Sequence, residues 1–222
     1  RPHGVHLHLL RAVFGVGMLF TFIYAVRRLS MAETYSIVLC APLLMTALSV
    51  PLLGERVSVR RWLAIAVGLC GVLVILHPGH AGFGSHLAVV SAAASAVFYA
   101  LSALSVRFLS RNNTNTSMVF SWLLFGGVIS LALALPDWRP ILAEDWPWIG
   151  AIGVSGALGQ AWITDAFRRA PPAVVGPFEY TALLWAFAID WIFWSATPTR
   201  ALLVGAAIVI ASGMFVIWDE RR

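Results

Sequence analysis

Eight long apolar stretches separated by short polar connections set the pattern of this chain. They run approximately from Leu7 to Val26, Met31 to Leu53, Val59 to Leu76, His86 to Val106, Ser117 to Leu135, Trp146 to Phe167, Ala173 to Trp194 and Ala201 to Trp218. A helix needs about 20 residues to cross a hydrocarbon core ~30 Å thick, and these runs approach or exceed that length. The connections, such as "RRLS", "GERVSVRR", "RRAPP" and "ATPTR", leave no room for a soluble domain. The alternating pattern of a barrel strand is absent, and backbone groups cannot stay unpaired in lipid. The expected fold is therefore all-α, a polytopic bundle of eight transmembrane helices.

Composition sharpens that picture. Apolar residues make up 60% of the 222, charged residues only 11%, and the mean hydropathy is +0.85. A soluble domain carries about 25% charged residues as its shell, so lipid is the expected solvent here. The net charge of +5 comes from arginine alone, and with so little other charge it reads as membrane topology rather than nucleic-acid binding. Threaded alternately through the eight runs, one side collects Arg1, Arg11, Arg56, Arg60, Arg61, Arg107, Arg111, Arg168, Arg169, Arg221 and Arg222; the other has Arg27, Arg28, Arg139 and Arg200. The richer side is expected to be cytoplasmic and to hold both ends of the chain. Trp138, Trp146, Trp148, Trp191 and Trp194 gather on the opposite side, where indole rings favour the interface. The chain starts at Arg1 without an initiator methionine, so a fragment of a longer protein is expected. Cys40 and Cys70 lie in separate apolar runs and read as small core residues.

An internal repeat emerges when the chain is slid against itself by 141 residues. "AVRRLSMA" from Ala25 then falls on "AFRRAPPA" from Ala166, the run from Met31 falls on the run from Ala173, and the glycines around Gly68 and Gly71 fall on the run with Gly205 and Gly213. The two copies cross the membrane in opposite senses in this threading, the inverted-topology arrangement of secondary transporters. The stretch from Ala32 to Gly79 resembles the end of an EamA-type repeat of the drug/metabolite transporter superfamily: an apolar helix with Pro42, the Gly54, Glu55 pair closing it, Arg61 and Trp62 opening the next, and Gly71 near its end. "PFEYTALLWA" followed by "LLVGAAIVIASG" resembles the corresponding end of a second repeat. The resemblance implies ten helices in two five-helix repeats around a central cavity. In that register residues 1–79 are the last three helices of the first repeat, 86–219 are the five of the second, and two N-terminal helices are missing. At Ser195 and Ala196 the chain departs from the Gly-Glu pair, which leaves the symmetry mate of Glu55 without its counterpart.

Candidate chemistry centres on "PFEYTALLWAFAIDWIF", which sets Glu179 and Asp190 into an apolar run. A charge at the bilayer centre costs at least ~2.5–3.5 kcal/mol, so Glu179 is expected to face the bundle interior or a wet cavity. It is read either as a substrate or proton site or as hydrogen-bonded glue between helices. Tyr180 and Trp185 follow it, and Pro177 precedes it, where a proline can free a backbone carbonyl. Gln160 is an intramembrane hydrogen-bonding group beside the glycine series Gly150, Gly153, Gly156 and Gly159, which reads as helix packing. Tyr99 stands on a hydroxyl-bearing face with Ser91, Ser95, Ser102 and Ser105, and Tyr24, Tyr35 and Ser36 are comparable candidates in the first copy. The expected substrate-binding set is Glu179, Tyr180, Gln160, Tyr99, Trp185 and Tyr35. Asp165 reads as an ion pair with Arg168 or Arg169, and Asp190 as solvated near the external interface.

Other chemistry finds little footing. His3, His6 and His8 lack acidic or cysteine partners for a metal, His77, His80 and His86 read as a solvated loop, and no phosphate loop, GxSxG or HExxH is present. The expectation is a secondary transporter, not an enzyme and without a cofactor. It moves a small organic metabolite or drug across the bacterial inner membrane by alternating access, with export the expected direction, protons the candidate coupling ion, the bilayer as surroundings, no nucleic acid, and a homodimer open. The competing readings are an intramembrane enzyme using Asp165 and Glu179, and a nonfunctional truncated transporter.

Overall fold

A computed structural model describes residues 4–54, 58–75, 86–138, 140–169, 175, 179, 181–195 and 197–220. Among them nine α-helices form: α1 (Val5–Val26), α2 (Met31–Val38), α3 (Ala41–Leu53), α4 (Val59–Ile75), α5 (His86–Leu109), α6 (Asn115–Ala134), α7 (Trp146–Arg169), α8 (Thr181–Trp194) and α9 (Arg200–Glu220). No strand occurs among the described residues. α1, the stretch Glu33–Leu52 across α2 and α3, α5 and α6 are each long and apolar enough to cross a membrane. Shorter apolar helical segments are Trp185–Trp194 and Arg200–Val216.

The apolar run from Met31 to Leu53 divides into two helices, and Pro42 explains the break. Its ring displaces the carbonyl four residues earlier, that of Val38, and it offers no N–H to bond it. α2 ends there, and the turn closes through Leu39 N–H to Tyr35 O at 2.8 Å and Cys40 N–H to Ile37 O at 3.1 Å. α3 restarts with Leu44 N–H donating to Cys40 O at 2.9 Å. The start of α2 is fixed by a reciprocal cap: the Ser30 hydroxyl accepts from Glu33 N–H at 3.1 Å, and the Glu33 carboxylate accepts from Ser30 N–H at 2.9 Å.

The chain packs as two compact units, Arg1–Val16 with Ser102–Arg169 and Gly17–Leu101 with Ala170–Arg222. In the first, the opening turns of α1, the end of α5, α6 and α7 come together, with Ala12, Leu104, Met118 and Phe167 buried. In the second, Ile37, Leu43, Ile65, Ala92, Val209 and Val216 form a single core. There α4 packs along α9 and α2 along α8. α4 and α9 approach so closely that a Cβ on Gly71 would stand 2.9 Å from the backbone carbonyl oxygen of Gly205, which has no room to yield. The Ser212 hydroxyl donates to the carbonyl of Ala64 across the same contact. At one end of the pair, Arg61 Nε donates to Asp219 Oδ2 at 2.9 Å, Arg61 Nη2 to Asp219 O at 3.1 Å, and Ser58 to the same carboxylate at 3.0 Å.

Asp190, expected to be solvated, is buried instead, and its Oδ1 accepts from Met31 N–H at 3.1 Å. It closes the N-terminus of α2 from α8, a placement that the helix dipole favours. Outward-facing residues are strongly apolar: Phe193, Ile152 and Trp162 are each more than 70% exposed. Apolar surface on that scale is what a bilayer covers.

Two helix ends that stand 141 residues apart share an unusual backbone. Gly54 closes α3 at φ 69°, and Ser195, directly after α8, has φ 51°, with its N–H donating to Trp191 O at 3.1 Å. Left-handed backbone suits glycine and costs other residues roughly 1–2 kcal/mol. Ser195→Gly is expected to raise stability by up to about 1 kcal/mol, read as a higher thermal midpoint in detergent, since glycine's own entropy loss offsets part of the gain. A lower midpoint would show that the serine side chain holds this end. The Arg61 guanidinium, and then the Ser58 hydroxyl, keep Asp219 below the usual carboxylate range. Its contribution to stability is full above the unfolded-state value and fades as pH falls through the lower folded value. Native protein and Asp219→Asn should therefore differ in midpoint at neutral pH and converge in acid; a difference that persists unchanged in acid would contradict this.

Candidate functional site

Polar groups collect inside each unit. In the second unit, Tyr99 on α5 donates its phenolic O–H to Glu179 Oε1 at 2.8 Å. α5 delivers Tyr99 through a face on which Ala88, Ala92, Ser95, Ala96 and Ala100 are all buried, small side chains that let neighbouring helices come near. Ser95, one turn before Tyr99 on α5, donates to Met18 O of α1 at 3.3 Å. The pair places a carboxyl group and a phenol in a region otherwise dominated by alanine and aliphatic side chains, where each group's best partner is the other. A carboxylate held in this way can accept a hydrogen bond from a cationic or hydroxylated solute, or take up a proton and become a donor itself.

The other residues expected at a site are distributed as follows. Tyr35 on α2 is half-buried, packs against the core and meets Phe22 edge-on, ring centroids 5.4 Å apart. Tyr24 carries the Arg28 guanidinium over its ring at 3.8 Å. Trp185 is 70% exposed on α8. Tyr180, Pro177 and Glu55 lie outside the described residues. Asp165 pairs with Arg169, Oδ2 to Nε 2.7 Å, within the last turns of α7.

In the first unit, Gln160 is half-buried and its Nε2 donates to Thr164 Oγ1 at 3.1 Å. Thr164 also accepts from Arg11 Nη2 at 2.9 Å, and Arg11 Nη1 donates to Met118 O at 3.1 Å. Arg11 is only 2% exposed. Topology reasoning counts it among the cytoplasmic flanks; the fold instead draws it between α1, α6 and α7. His8, one turn earlier, is buried as well and lies beside Asn113 and Arg11. The signal was present in the sequence: His8, Arg11 and Gly15 recur at three- and four-residue spacing on a helix that is otherwise apolar, which marks one face for something other than lipid.

Comparisons with known proteins place this architecture. The model of the EamA-like transporter family matches residues 2–77 and 86–218. Relatives include the pseudopaline exporter of Pseudomonas aeruginosa, 28% identical over 94% of this chain and 74% of its own length. A riboflavin transporter of Vibrio cholerae is 32% identical over 97% of this chain and 72% of its own length. An S-adenosylmethionine uptake transporter of Rickettsia felis is 26% identical over 82% of this chain and 61% of its own length. One solved crystal structure aligns with 100% of the chain and 79% of its own length at a TM-score of 0.65 and 23% identity, a likeness of fold. With matches over nearly its whole length and helices that present apolar residues outward, the chain is a multi-pass membrane transporter, not an enzyme, and belongs to the EamA-like transporter family.

Proposed function

We propose that this transporter exports a small organic metabolite by alternating access, with the Tyr99–Glu179 pair as its central polar contact. The observation that carries the reading is the 2.8 Å hydrogen bond between two groups that would otherwise be costly to surround with lipid. Glu179 is the substrate or proton group, Tyr99 its positioning partner. Trp185, Tyr35 and Tyr180 are proposed as further solute contacts within the second unit, and Gln160 as one within the first. Export is supported by the similarity to the pseudopaline exporter. The riboflavin and S-adenosylmethionine transporters, with the pseudopaline exporter, point to a polar organic solute.

The two halves are proposed to be inverted repeats, residues 1–79 and 86–219. Two facts support this: α4 packs along α9, and these two helices align at a shift of 141 residues. Gly54 and Ser195 end their helices in the same left-handed conformation at that shift. The arginine bias favours an inner membrane with both ends of this chain in the cytoplasm.

Counterflow into sealed vesicles, with riboflavin, S-adenosylmethionine and pseudopaline as probes, tests the reading. A hydrogen bond to a charged group is worth roughly 1.5–3 kcal/mol, so Tyr99→Phe is expected to slow uptake about 10- to 100-fold. Glu179→Gln should abolish any dependence of uptake on an imposed pH gradient while leaving the protein folded. Native rates and pH dependence in both variants would reduce the pair to helix packing.

A further inference from the structure

The guanidinium of Arg11 is buried. Among the described residues no carboxylate pairs with it: Asp165 is engaged by Arg169, and Asp137, Glu144 and Asp145 lie beyond the far ends of α6 and α7. The rise from Met118 to Asp137 along α6 is roughly 28 Å at 1.5 Å per residue. A guanidinium has five N–H donors, and two are used, one on Met118 O and one on Thr164 Oγ1. Nε is fully enclosed and bonds to nothing. Other polar atoms of the same unit share that condition, among them Trp122 Nε1, whose ring lies over Gly15 one turn beyond Arg11, and Asn115 Oδ1 one turn before Met118.

These groups line facing stripes over about two helical turns, roughly 10 Å. His8, Arg11 and Gly15 form one face of α1; Asn115, Met118 and Trp122 form the facing stripe of α6, at the same spacing; Gln160 and Thr164 close the third side from α7. Asn115 Nδ2 further ties α6 to α7 through Ala161 O at 3.4 Å. Placing a cation here costs far more than an alcohol and a carbonyl return, because neither carries charge. An apolar side chain of similar length would occupy this seam without loss of ion hydration.

We propose that the Arg11 cluster is a binding site for an oxyanion, the carboxylate or phosphate group of the transported solute. Nε–H with an adjacent terminal N–H forms the planar edge that takes two oxygens side by side. The other side of the guanidinium is anchored on Met118 O and Thr164. Trp122 Nε1–H is a second donor without a partner, and Gln160 orients Thr164 by donating to its hydroxyl. The proposal rests on the transport reading but concerns a different set of residues from Tyr99 and Glu179. It narrows the solute class to molecules that bear a negative group.

Thermal unfolding of the whole chain in neutral detergent, with citrate, succinate and inorganic phosphate as probes, tests it. A ligand that binds only the folded protein raises the midpoint in a saturable way. The native protein should gain a few degrees with at least one of these anions and none with succinamide, at constant ionic strength. Arg11→Met should be as stable as the native protein or more so, since it removes an uncompensated buried charge, and should lose the anion response. Arg11→Lys keeps the charge without the planar edge and should respond at least tenfold more weakly. Glu179→Gln should keep the response, which separates failure here from failure of the proposed Tyr99–Glu179 contact. In nanodiscs, exchanging phosphatidylcholine for phosphatidylglycerol identifies the source of the anion. Stabilisation by the anionic lipid alone, with no soluble probe effective, would make this a headgroup site and overturn the assignment to solute. The same response in Arg11→Met, or no response to any probe, would overturn it as well.

Discussion

Hydrocarbon offers no partner to a polar group, and that single constraint organises this molecule. Each hydroxyl, carboxylate or guanidinium inside a spanning helix has to find another within the protein. Tyr99 finds Glu179, Asp190 finds the free N–H at the start of α2, and Thr164 serves Gln160 and Arg11 together. What faces outward is left to valine, leucine, isoleucine, phenylalanine and tryptophan. With lipid on the outside, the hydrophobic effect no longer draws helices to each other, so close packing does that work. The contact of α4 with α9 over Gly71 is the clearest example.

The same constraint turns polar contacts into information about function. A soluble protein can leave a glutamate or an arginine at its surface at little cost. Within a bundle each needs a partner inside the protein, as Asp190 has in Met31 N–H. Glu179 and Arg11 carry opposite charge and stand in different compact units, each with a partner that is polar but uncharged. A transporter needs groups of this kind: bound firmly enough to be placed, and weakly enough that a solute can take over the bond.

Much of the fold was legible because lipid imposes a simple rule on sequence. Apolar length alone placed most helix ends to within a few residues, as with α1 at Val5–Val26 against an expected Leu7 to Val26, whereas the run expected from Ala173 is described as a continuous helix only from Thr181. The division of the second run was less visible, since Pro42 is tolerated in many membrane helices and the break depends on how the turn at Leu39 and Cys40 closes. Of the site, Glu179 stood out by its cost and Tyr99 by its neighbours, and the fold joins them. Asp190 and Arg11 were misplaced for one shared reason. Both lie near the end of an apolar run, where a charge ordinarily reaches water. Only tertiary structure reveals that another helix covers that end. What any buried polar residue does with a solute is chemistry that no pattern of hydropathy encodes.

The proposed transport role requires that Tyr99 and Glu179 border a hydrated path that a solute occupies. Reactivity at position 99 measures this directly. Tyr99→Cys, in a chain with Cys40 and Cys70 replaced, should react with a charged, membrane-impermeant thiol reagent, and transported solute should slow that reaction. A cysteine at that position that reacts from neither side of the membrane, with or without solute, would rule out such a path.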